Sequence, residues 1–110
     1  MKTLMIAAFA AALAMSAASA QASKMMLTGA DFQAACSRPD PEWIGFCHGY
    51  VQAVFDSVRT PGEEICAPDD LTRAEIVGIV VQHLTKTPSL QSLNAASVVF
   101  GALQNAYPCR

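Results

Sequence analysis

The sequence predicts an all-α fold: a small disulfide-stapled bundle of four helices, the first short, behind a cleaved signal peptide. Three observations carry this expectation. Apolar residues recur at spacings of three and four, the helix period. Prolines and capping residues divide the chain into short helical lengths. Four cysteines, an even number, stand in a small chain that begins like an exported one. Composition narrows the field further. The 110 residues allow one small domain and exclude a multidomain enzyme. A hydrophobic fraction of 53% with 15% charged residues excludes a disordered tail. A net charge of −2 excludes the basic footprint that nucleic acid demands.

Lys2 gives a short positive start, Leu4 to Met15 is a nearly unbroken apolar run, and Ala18-Ser19-Ala20 offers small residues for signal peptidase. Residues 1–20 are therefore expected to be a signal peptide, with cleavage after Ala22 as the rival. A spanning helix needs about 20 strongly apolar residues. This stretch is shorter, rich in alanine and broken by Ser16 and Ser19. Residues 21–110 then form the mature domain. With Lys2 removed it holds six basic and nine acidic residues, a net charge of −3. Its expected location is the periplasm or beyond.

Thr28 followed by Asp31 predicts the first helix, from about Gly29 to Ser37, burying Phe32 with Ala35 and Cys36. Arg38-Pro39-Asp40-Pro41 breaks it. Asp40 is expected to cap the second helix, with Pro41 at its first position. Ile44, Cys47, Val51, Val54, Phe55 and Val58 form its apolar stripe, and Thr60-Pro61-Gly62 ends it. Gly45, Gly49 and Ala53 stand four apart, which predicts a smooth ridge for close helix packing. Two unused glycines would each cost about 1 kcal/mol against alanine. Thr72 with Glu75 is a capping box for the third helix, with Leu71 and Ile76 as its hydrophobic staple. Ile76, Ile79, Val80, His83 and Leu84 keep the helix period up to Pro88. Ser89 or Ser92 is the expected cap of the fourth helix. Its buried stripe is Ala95, Val98, Val99, Ala102, Leu103 and Ala106, and Pro108 stops it.

A domain this small buries little surface, so two disulfides among Cys36, Cys47, Cys66 and Cys109 are expected. Four cysteines allow three connectivities. In an up-and-down bundle the third and fourth helices are antiparallel, which brings Cys66 beside Cys109. Roughly 20 Å of helix separates Cys47 from that end, and bridged Cα atoms lie within about 7 Å. This favours Cys36–Cys47 with Cys66–Cys109 and disfavours Cys47–Cys109. A Cys47–Cys66 bridge requires a sharp return through residues 60–66.

Candidates for catalysis are few. His48 and His83 are the only histidines, each on an apolar helix. No nucleophile elbow, phosphate loop, HExxH or CxxC motif is present. Asp69 and Asp70 read as acids at a helix start, and Glu63-Glu64 as a solvated loop. The expectation is a binding protein with no catalytic residue, no metal and no cofactor.

The ordered set Phe46-Cys47-His48-Gly49-Tyr50-Val51, Cys66-Ala67-Pro68, Val80-Val81 through Leu84 to Pro88, and Tyr107-Pro108-Cys109 resembles the Rap/Tai family. These are periplasmic immunity proteins of type VI secretion amidase effectors. The resemblance covers about residues 30–109. It implies an all-α periplasmic domain, often a homodimer, whose partner is a secreted peptidoglycan amidase that it binds and inhibits. The matching residues are architectural, so no inhibitory position is carried over. The contact expected from the layout is the turn from Thr85 to Asn94, where Lys86, Pro88, Leu90 and Gln91 can project. Two other readings compete. One is a small periplasmic acid-stress chaperone, distinguished by suppression of aggregation near pH 2–3; the other is a structural or interaction protein of the envelope. The chain lacks the dense lysine and acid decoration of such chaperones.

Overall fold

The computed structural model describes residues 26–58 and 65–110. The signal segment, Thr60-Pro61-Gly62 and Glu63-Glu64 lie outside the described residues. Among the described residues four α-helices follow in order: α1 (Gly29–Cys36), α2 (Pro41–Ser57), α3 (Arg73–Lys86) and α4 (Ala95–Ala106), with a 3-10 turn over Pro88–Ser92 between the last two. No strand longer than a single bridge occurs among the described residues. The all-α architecture is therefore the observed one.

Local sequence explains most helix starts. Thr28 Oγ1 accepts from the Asp31 amide at 3.2 Å, and Asp31 accepts from the Thr28 amide at 3.0 Å. Thr72 and Glu75 repeat this reciprocal box at 3.2 and 2.8 Å. Each box satisfies two amides that the first turn leaves without partners. α2 departs from expectation. Pro41 stands in its first turn, but Asp40 makes no capping bond with its side chain. The carboxylate instead accepts from Arg38 Nε at 3.2 Å. The start of α4 is a second correction. Neither Ser89 nor Ser92 caps it; Asn94 does, accepting from the amides of Ala96 and Ser97 at 2.9 and 3.3 Å. The physical reason lies in the intervening chain. Residues 88–92 close into their own 3-10 turns, and Leu93 is extended so that its carbonyl can accept from Gly29.

The core draws on every helix. Phe32 comes from α1, Val51 from α2, and Ile76, Val80 and Leu84 from α3 at four-residue spacing. Ala95, Val98, Val99, Ala102 and Leu103 give α4 the largest share. Small residues at Ala95 and Ala102 let the other helices close around it. Ile44 and Ala106 depart from their expected stripes. Ile44 is 43% exposed in the first turn of α2, and Ala106 is exposed at the last turn of α4. Helix ends outreach their neighbours, so periodicity overstates burial there.

The glycine ridge is corrected outright. Gly45, Gly49 and Ala53 are all exposed, and a Cβ at either glycine would meet nothing within 4 Å. The buried face of α2 runs instead through Cys47 and Val51. The glycine that close packing does require is Gly29. A Cβ there would lie 2.5 Å from the Leu90 carbonyl oxygen and 2.8 Å from Leu84 Cδ2. The 3-10 turn rests on the start of α1 only because that position has no side chain.

Two short backbone pairings and two disulfides tie the helices. Ala95 donates to the Leu27 carbonyl and Gly29 to the Leu93 carbonyl, both at 2.8 Å, flanking the Thr28–Asn94 bridge. At the other end Cys66 donates to the Tyr107 carbonyl at 2.9 Å, beside the Ile65–Pro108 bridge. Disulfides join Cys36 to Cys47, with Cα atoms 5.8 Å apart, and Cys66 to Cys109, 5.0 Å apart. They close segments of 11 and 43 residues. In the chain-entropy account these contribute about 3 and about 4 kcal/mol.

Two predictions follow from this packing. Gly29→Ala should destabilise the protein by about 1–3 kcal/mol, since backbone must move to admit the methyl group. Gly45→Ala and Gly49→Ala should each stabilise it by about 0.5–1 kcal/mol; urea denaturation of the three variants checks the contrast. Stepwise dithiothreitol treatment with alkylation should label Cys66 and Cys109 before Cys36 and Cys47. The first pair is exposed, whereas Cys47 is 1% exposed. Labelling in the reverse order contradicts this arrangement.

Candidate functional site

The titratable residues singled out in the sequence are scattered. His48 is half-buried on α2. His83 lies between α3 and α4 in a hollow of about 200 Å³, beside Gln82, Lys86 and Asn105. No carboxylate lines that hollow. Asp70 lines a separate depression with Glu75 and Tyr107, and the Glu75 carboxylate is already engaged by the Thr72 amide. Among the described residues no three His, Cys, Asp or Glu side chains are placed to hold a metal ion. Every cysteine is in a bridge.

The expected contact turn is present, but its four residues divide. Lys86 and Pro88 are exposed. Leu90 and Gln91 are half-buried and turned inward: Leu90 packs on the core, and Gln91 Nε2 donates to Gln33 Oε1 at 2.9 Å. Gln33 Nε2 in turn donates to Thr85 Oγ1 at 3.1 Å. The turn is thus tied to α1 through Gln33, with Pro88 exposed on it and Lys86 exposed at the end of α3 just before it.

A second surface was not anticipated. Trp43, Phe46 and Tyr50 follow one face of α2. Ring centroids are 5.9 Å apart for Trp43–Phe46 and 6.0 Å for Phe46–Tyr50. Tyr50 continues the series inward to buried Phe32 at 5.6 Å. Phe46 is 41% exposed. The Arg38 guanidinium lies 4.8 Å over the Trp43 ring, a cation–π geometry. Leu27, Asp31, Ala34, Ala35 and Arg38 complete a mainly apolar groove of about 380 Å³ against Trp43 and Phe46. The signal available in the sequence was the spacing of Trp43, Phe46 and Tyr50 by three and four, one step off the aliphatic stripe. The Cys36–Cys47 bridge joins the two helices that form the groove walls.

The model of the Rap1a immunity proteins matches residues 28–109, nearly the whole described chain. The chain belongs to the Rap1a immunity protein family. Comparison with curated proteins and with solved structures gives no match. Family membership agrees with the resemblance seen in the sequence and implies an immunity role with an effector protein as partner. The matched region spans all four cysteines and all four helices. Both disulfides accord with an oxidising compartment. Among the described residues no helix is long and apolar enough to cross a membrane.

Tyr50 gives the aromatic surface a pH signature. Burial raises its phenol above the ordinary value of 10.0, and the Ala96 amide beside it acts in the opposite sense. The folded state therefore favours the neutral phenol. That contribution is complete below pH 10.0 and is lost as pH rises through the raised folded value. Wild type should lose stability above pH 10 more steeply than Tyr50→Phe, as measured by urea midpoints across an alkaline series.

Proposed function

We propose that this protein is a periplasmic immunity protein that binds and inhibits a peptidoglycan amidase effector of type VI secretion. The observation that carries the reading is the immunity-family match over residues 28–109. The architecture supports it: a small domain held by two bridges presents fixed surfaces to a partner at little conformational cost. The sequence supports the location, since residues 1–20 carry the pattern of an export signal.

Inhibition in this reading is steric. In it the effector meets exposed Pro88 on the Pro88–Ser92 turn and exposed Lys86 at the end of α3, while Leu90 and Gln91 hold the turn against the core and α1. A turn held in place in this way needs no chemistry of its own to block a cleft. Lys86 supplies a charge for an acidic group in the cleft, and Pro88 a stiff apolar edge.

The test is protection. Cells that express a neighbouring-gene amidase in the periplasm should survive when this protein is co-expressed and lyse when it is absent. Purified protein should bind the same enzyme, and the double substitution Lys86→Glu with Pro88→Ala should weaken binding about tenfold or more. Failure to bind any encoded amidase, together with failure to protect, removes the reading.

A further inference from the structure

Resting on the immunity reading, we infer that Gln33 of α1 is a positioning residue for the effector contact. Its one carboxamide holds both flanks of the segment that carries Lys86 and Pro88, and so sets the pose in which the effector meets them.

Placement is the first ground. Thr85 and Gln91 stand on either side of residues 86–90. Gln33 Nε2 donates to Thr85 Oγ1 at 3.1 Å, and Gln91 Nε2 donates to Gln33 Oε1 at 2.9 Å. One side chain, 52 residues from Thr85 and 58 from Gln91 in sequence, thus closes the segment across its base. Lys86, Pro88 and Ser89 are exposed between the two tethered positions. The end of α3 and the 3-10 turn cannot shift against each other without breaking a bond to Gln33.

Hydrogen-bond polarity is the second ground. A hydroxyl has one proton to give. Thr85 gives its own to the Val81 carbonyl at 2.9 Å, so toward Gln33 its oxygen only accepts. Gln33 must then turn its nitrogen to Thr85 and its oxygen to Gln91, and Gln91 must present its own nitrogen. The chain from Gln91 through Gln33 and Thr85 to Val81 therefore runs one way, each bond polarising the next.

Packing is the third ground. Gly29 lies four residues before Gln33, on the same side of α1. A Cβ at Gly29 would lie 3.2 Å from Gln91 Cα and 2.5 Å from the Leu90 carbonyl oxygen. The turn thus rests on α1 at Gly29 and is tied one helical turn further along at Gln33. Two points of attachment resist rocking where one does not. A contact surface held in one pose loses little entropy when its partner arrives.

Alanine is the strongest helix former, so Gln33→Ala removes both bonds without weakening α1 itself. The experiment measures amide hydrogen exchange and amidase binding of the disulfide-intact protein. The amides of Leu90 and Leu93 donate within the turn to the Thr87 and Leu90 carbonyls. In Gln33→Ala they should exchange about three- to tenfold faster, while those of Val80 and Val99 in the core stay unchanged. Amidase binding should weaken by about three- to tenfold. Thr85→Val keeps the shape and loses the hydroxyl, so it should raise exchange in the turn and weaken binding, whereas Thr85→Ser should behave as wild type. Gln91→Ala added to Gln33→Ala should cost no further binding, since the bond between them is already gone. Unchanged exchange in the turn, exchange raised equally in the core, or equal amidase binding by wild type and Gln33→Ala overturns the inference. Failure of the immunity reading looks different: wild type then binds no amidase, while exchange in Gln33→Ala still supports or overturns the tether.

Discussion

The docking of α1 is the constraint on which the rest depends. An isolated helix of eight residues does not persist in water. Four attachments hold this one. Phe32 enters the core. The 3-10 turn lies against Gly29, where a single methyl group would collide with the Leu90 carbonyl. The amide of Gly29 donates to Leu93, and Cys36 is bonded to Cys47 on α2. Because these act at both ends and in the middle, α1 has one position only. That position builds two surfaces at once, the seat of the Pro88–Ser92 turn and one wall of the aromatic groove.

The two bridges do different work. Cys66–Cys109 ties the approach to α3 to the chain end beyond α4 and closes the longer segment. In an account based on chain entropy it supplies global stability. Cys36–Cys47 closes a short segment and sets local geometry, since one of its sulfurs comes from a buried position on α2. An immunity protein must meet its effector with its surface already formed, because ordering that surface on contact would subtract from affinity. The short bridge meets that need directly.

Much of the fold was legible because its signals are local. The boxes at Thr28–Asp31 and Thr72–Glu75 need only residues three apart. The stripes of α3 and α4 follow from period alone, and the antiparallel placement of those helices brings Cys66 beside Cys109. The misreadings share one cause. Gly45, Gly49 and Ala53 form a smooth row, but whether a neighbour lies on that row depends on where the other helices go, and none goes there. Leu90 and Gln91 looked free to project because their inward partners, the core and Gln33, are distant in sequence. Asn94 took the cap from Ser89 and Ser92 because the pairing of Thr28 with Asn94 fixed where extended chain ends.

Sequence by itself determined the helical class, most boundaries, the cysteine framework and the family, since each follows from nearest neighbours or from an ordered motif. Tertiary structure alone decided which faces stay open. The aromatic face at Trp43 and Phe46 differs from the aliphatic stripe of the same helix by a rotation of one residue. Only the placement of α1, fixed by contacts from the far end of the chain, turns that face into a groove.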